Sequence, residues 1–250
     1  MNAVKDLILK MADDSLIIGH RSSEWTGLGP ILEEDIAFSS MAQDKIGHAL
    51  ALYGILHEQF GELEADQLAF NRKESKFRCC HFAELPIGEY DFSLMRHFLF
   101  DHAEAIRYEM LSSSSFAPLA QLARKIKGEI KYHVLHANSW ILRLGRGTEE
   151  SRHRMQSSLN FCMPYALGIF EKNEAESDLI TEGIFAGEEH LRILWEEQIW
   201  KQIDQAGLQF PNVPEKKVHM GGRSGRHTVH LHMLLEELSQ VFRMEQGVEW

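Results

Sequence analysis

The chain has 250 residues, 44% hydrophobic and 25% charged, which suits one sizeable buried core and does not suit a disordered segment. A formal net charge of −11 argues against a general nucleic-acid surface and against an anionic membrane as partner. Three cysteines, two of them the adjacent Cys79 and Cys80, supply neither a disulfide framework nor a C-x-x-C zinc pair.

The N-terminal stretch MNAVKDLILKMADD lacks the basic region, apolar run and cleavage site of a signal peptide. No apolar run approaches the roughly 20 residues that a membrane span needs. A soluble chain in the reducing cytoplasm is the expectation. A first helix is predicted over about 4–20, ended by the Gly- and Pro-containing turn HRSSEWTGLGP. Pro30 is placed early in a second helix running to about residue 60, with Glu33, Glu34 and Asp35 near its positive end. The polar segment 61–91 reads as a crossover with short helical pieces. A third helix covers about 92–111 and a fourth about 118–144, opened by Pro118. Two more are predicted over 149–170, interrupted near Pro164, and 191–205. A loop rich in Gly, Pro and basic residues leads to a last amphipathic helix over 229–244. The expected architecture is all-α, a four-helix bundle over about 4–145 with additional C-terminal helices over about 149–250, in one domain spanning 1–250.

The four long helices share an anomaly. On the second, Phe38, Met41, Lys45, His48, Leu52 and Ile55 recur at spacings of three and four, the inward stripe of a packed helix. Two members of that stripe, Lys45 and His48, are polar. The first helix reads Leu7, Met11, Asp14, Ile18; the third Leu94, Phe98, Asp101, Ala105, Tyr108; the fourth Ile126, Ile130, His133, Ala137. If the helices pack at similar heights, Asp14, Lys45, His48, Asp101 and His133 meet at one buried point.

That layout belongs to carboxylate-bridged dinuclear metal sites, in which two helices each give a Glu and two each give a Glu-x-x-His pair. Here Lys45 and Ile130 stand where the two ExxH glutamates should be, and Glu129 is one position off, turned roughly 100° away. The pattern is a degenerate metal site. A buried Lys45 with Asp14 and Asp101 would supply by ion pairing the charge that a metal otherwise provides. The alternative is a lysine whose head reaches water along its stem and a histidine satisfied in the core. Two carboxylates and two imidazoles could also hold one divalent ion, which the ammonium would repel.

The segment KKVHMGGRSGRHTVHLH offers a second candidate. Its glycines let the backbone curve, and Arg223 and Arg226 could fork onto phosphate oxygens or dock on an acidic partner. It lacks P-loop spacing, and no strand precedes it. Histidines 219, 227, 230 and 232 there also read as a metal tract. No G-x-S-x-G, Rossmann fingerprint or H-E-x-x-H occurs.

The stretches DDSLIIGHRSSEW, PILEEDIAFSSMAQDKIGHA, IKGEIKYHVLHANSWILRLGRGTEES and GGRSGRHTVHLHMLLEEL together resemble the structural (PaaC-type) subunits of bacterial phenylacetyl-CoA 1,2-epoxidase, from residue 12 to the last helix. One departure is Val229, where those subunits more often carry an acid. The resemblance implies a ferritin-like bundle without metal ligands or a cofactor of its own. It also implies a role in scaffolding a homologous di-iron catalytic subunit that epoxidises an aromatic acyl-CoA with O2 and NADPH-derived electrons. Other epoxidase subunits and a second copy of the chain are further expected partners. Two rival readings remain at this point, an autonomous ferritin-like metal-dependent oxidase and a helical acyl-CoA-binding module.

Overall fold

The computed structural model describes residues 2–244. Among them the regular structure is helical, with no strand. Helix α1 (Asn2–Ser23) and α2 (Leu32–Phe60) are followed by the short α3 (Ala65–Phe70) and α4 (His81–Glu84). The second long pair is α5 (Tyr90–Leu111) and α6 (Ala117–Gly145). Then come α7 (Glu149–Ala166), α8 (Glu176–Thr181), α9 (Glu188–Gln205), α10 (Val229–Leu238) and α11 (Gln240–Met244).

The four long helices form the expected bundle of the ferritin-like kind. Cross-links fix their directions. From α1 to α2, Lys5 pairs with Glu62 just past the helix end and Asp13 with Tyr53, while Gly19 abuts Ile46. Those pairings run antiparallel. From α5 to α6, His102 meets Asn138 and Glu109 meets Lys127, also antiparallel. Between α2 and α5 the order is parallel, since Glu34 takes Tyr90 and Lys45 takes Asp101. A parallel step between consecutive pairs needs a long connection, and residues 61–89 supply it.

The ends follow local chemistry. Gly61 closes α2 in the left-handed region at φ 67, with its own N–H and that of Glu62 satisfying His57 and Leu56 carbonyls. Thr148 caps α7 by accepting from the Ser151 N–H. Two boundaries differ from expectation. Pro30 lies ahead of α2, because Asp35 Oδ1 accepts the Gly29 N–H at 2.6 Å and holds residues 29–31 outside the helix. The last helix breaks at Ser239, whose hydroxyl turns back onto the Leu235 carbonyl at 2.5 Å and competes with the helical ladder.

The crossover is pinned to α1 by two consecutive acids. Asp13 accepts from Arg72, from the Tyr53 hydroxyl at 2.5 Å and from the Arg78 N–H at 2.6 Å. Asp14 accepts from the Cys80 N–H at 2.8 Å. A second helical layer, α7 and α9, packs on α5 and α6.

Candidate functional site: a buried lysine and two carboxylates in the bundle

At mid-height in the bundle, Lys45 is fully buried. Its Nζ donates to Asp101 Oδ1 at 2.6 Å and to Glu104 Oε2, and lies 5.6 Å from the Phe100 ring centroid. Burial works against the charged amine, but the Asp101 and Glu104 carboxylates outweigh it and hold Lys45 above its ordinary value. Burial would raise Asp101 as well; the Lys45 charge and His97 instead keep it well below the usual carboxylate range. Glu104 goes the other way. Burial lifts it to about 7, with the neighbouring Asp101 charge adding to the rise against the pull of Lys45.

Two histidines flank this pair through a reciprocal arrangement. His48 on α2 donates through Nε2 to Glu129 on α6 at 2.7 Å, and His133 on α6 donates through Nε2 to Asp44 on α2 at 3.0 Å. Each helix therefore lends an acid to the other's histidine. The acids stand one position before Ile130 and Lys45, and both carboxylates are partly solvated. Burial, then the Lys45 charge, depress His48 to about 4; burial lowers His133 and His97 too. All three are neutral at neutral pH. The other ring nitrogens, Nδ1 of His48 and Nδ1 of His133, are buried without a hydrogen-bond partner. His133 Nδ1 lies 4.0 Å from Asp101 Oδ1.

A metal-binding histidine characteristically donates one ring N–H to a carboxylate and offers the other nitrogen to the ion. His48 and His133 keep that posture. The rest of the ligand set does not fit two metal ions. Ile130 brings only apolar atoms, and Lys45 Nζ occupies Asp101 and Glu104 with a charge of the same sign as a metal. The centre is suited to holding fixed charges.

Asp14 is a correction. It is buried on α1, but it does not bond Lys45; Arg223 Nη2 reaches it at 2.7 Å, and it holds the crossover through Cys80. The carboxylate that joins Lys45 instead is Glu104, one turn beyond Asp101 on the same helix.

Arg223 and Arg226 are not brought together as a phosphate fork. Arg223 is buried, and besides Asp14 it donates to the carbonyls of Arg78 at 2.7 Å and Ile169 at 3.1 Å. Both of its terminal nitrogens are engaged by the protein itself, while its Nε is buried without a partner. Arg226 is exposed, and its carbonyl accepts from His81.

Over residues 1–250 the sequence matches the family described as Phenylacetic acid catabolic protein. The chain belongs to this family. One relative is a 1,2-phenylacetyl-CoA epoxidase subunit of Escherichia coli (strain K12), 31% identical over 250 residues, with 100% of both chains covered.

In this member of the phenylacetic acid catabolic family, His97 also joins the centre, and Glu34 organises a separate buried group nearer the start of α2. His97 bridges Asp101, at 3.3 Å from Nδ1, and the Ser22 hydroxyl, at 3.1 Å from Nε2. Glu34 gathers the Tyr90 hydroxyl at 2.6 Å, the Trp140 indole N–H at 2.7 Å and His136 at 3.0 Å. Sequence reasoning treats Glu34 as a helix-end charge and passes over Glu104. The signal for Glu104 is present, since it follows Asp101 by three residues on an inward face. For Glu34 the signal is weaker, because neighbouring acids at a helix start are ordinary surface residues.

Proposed function

We propose that this chain is the structural, metal-free subunit of a multicomponent ring-epoxidising monooxygenase acting on phenylacetyl-CoA in aerobic phenylacetate catabolism. Its role is to hold a homologous di-iron catalytic chain in a soluble, active assembly in the cytoplasm. The full-length likeness to the Escherichia coli epoxidase subunit supports the pathway and the assembly. The metal-free role is carried by Lys45, whose ammonium lies on Asp101 and Glu104 where the ExxH pattern would place a metal-binding glutamate. Oxygen activation in such an assembly would be supplied by iron held in the partner.

Leu32, Ile36 and Leu50 on α2, with Tyr132 and Leu135 on α6, are large apolar side chains left exposed along two neighbouring helices. They suit an interface with a helical partner. The autonomous-oxidase reading is disfavoured by Lys45 and Ile130. The acyl-CoA reading is disfavoured because Arg223 is buried and both of its terminal nitrogens bond within the chain.

The test is co-expression with the neighbouring candidate subunits, followed by pull-down through this chain. A homologous di-iron chain should copurify, and ring epoxidation should require it. A chain that stays monomeric beside that subunit, or that oxidises phenylacetyl-CoA alone, would overturn the proposal.

A further inference from the structure

Away from the bundle centre, the crossover and the C-terminal loop meet at a cluster made of three kinds of donor. Among the described residues, Cys79, Glu84 and His227 form the one set of at least three metal-ligating side chains whose donor atoms all lie within 4.8 Å of one another. Cys79 Sγ is 3.8 Å from Glu84 Oε1 and 4.0 Å from His227 Nδ1; His227 Nδ1 is 2.7 Å from Glu84 Oε1. The Glu84 and His227 side chains are fully buried, as is Cys79.

The surroundings fix what each donor can do. His227 Nε2 faces the Phe77 carbonyl at 3.1 Å, so that nitrogen carries a hydrogen. Nδ1 then turns its lone pair on Glu84 Oε1, while Glu84 Oε2 accepts the Thr228 N–H at 2.7 Å. Two acceptors 2.7 Å apart need something positive between them, either a proton or a metal ion. The three separations leave a point about 2.1 Å from every donor atom, close to zinc bonds of about 2.0–2.3 Å to N, O and S. The Nε2–H to carbonyl bond also orients a ligating histidine in the usual way.

We propose that Cys79, Glu84 and His227 form a binding site for one zinc-type divalent cation that ties the crossover to the C-terminal loop. Binding releases the Cys79 thiol proton and the proton shared by His227 and Glu84. Thiolate and carboxylate then balance the two positive charges, so the buried set stays neutral as two protons leave and one dication enters. Zinc suits a mixed sulfur, nitrogen and oxygen set, whereas calcium and magnesium would not take the sulfur. Three protein ligands leave a fourth position for water, and the adjacent Thr228 Oγ1 is buried and unpartnered. The site is independent of the bundle centre and does not rest on the function proposed above.

The experiment uses the full chain, stripped of metal and then loaded with Zn(II) or Co(II). Zinc per chain is measured after desalting, and the cobalt form is examined for thiolate-to-metal absorption. One zinc per chain and a cobalt–thiolate band are expected. Both should be lost in Cys79→Ser and kept in His48→Ala, which alters only the bundle centre. A wild-type chain that retains no zinc and gives no thiolate band overturns the proposal, whether or not Cys79→Ser folds. Zinc retained equally by a folded Cys79→Ser variant overturns it too.

Discussion

Lys45 carries its charge in a fully buried place, so its worth can be read only against its partners. Removing one member of a buried ion pair typically costs about 3–5 kcal/mol, because the remaining charge is stranded. Lys45→Met is expected to destabilise the fold by about that amount in denaturant melts, since Asp101 and Glu104 would then face each other. Asp101→Asn with Lys45→Met and Glu104→Gln should cost less than the single changes sum to, as contacting charges are coupled. A lysine that merely reached solvent would give changes within about 0.5 kcal/mol. The same cluster sets a pH dependence. His48, depressed to about 4, and the lowered His97 and His133 bind fewer protons folded than unfolded as pH falls below 6.5. Their contribution to stability is therefore lost on acidification. Glu104, raised to about 7, binds more protons folded than unfolded between 4.5 and 7, so it opposes that loss. Removing the Glu104 carboxyl would leave the histidines unopposed. Glu104→Gln should steepen the fall in melting temperature between pH 7 and pH 5; an unchanged or shallower slope would contradict the assignment.

Among the secondary-structure elements, the C-terminal loop is held by close backbone approach. Gly222 lies against the Cys79 carbonyl and Gly168 against the His219 carbonyl, and a Cβ at either position would collide with backbone rather than with a flexible side chain. Gly222→Ala is expected to cost about 1–3 kcal/mol as overpacking and to loosen the loop from the crossover. Thermal melts with limited proteolysis would check it. A wild-type melting temperature would mean that the loop moves aside freely. The long helices, the crossover and the inward polar seam were legible in the sequence, because a 3.6-residue apolar period survives insertion of a few polar residues. The identity of the partners was not. Asp14 and Asp101 look alike on their stripes, but Asp14 lies under Arg223, which comes near the other end of the chain and reaches it only through the folded loop. The exchange of acids between α2 and α6 was equally hidden. Glu129 is roughly 100° off the stripe of its own helix, and its use appears only when His48 of the facing helix is in place.

For the whole molecule, a net charge of −11 lies over a bundle whose buried Lys45 ammonium is matched by Asp101 and Glu104 and whose central histidines are neutral. No helix among the described residues is long and apolar enough to cross a membrane. The exposed apolar side chains on α2 and α6 are the surface that the proposed catalytic chain would cover. Replacing Ile36 and Leu135 together by Glu should abolish copurification of the catalytic chain while leaving the melting temperature of this chain near wild type. Stable interfaces commonly bury above roughly 1,000 Å², so charges in such a patch are costly. Undiminished copurification would place the contact elsewhere. If Lys45 stands in a metal's place, iron should find no site in the bundle. The purified chain, titrated anaerobically with Fe(II) and then desalted, should retain no iron that depends on His48 or His133. Retention of two iron atoms per chain, lost in a His48→Ala, His133→Ala variant, would contradict it.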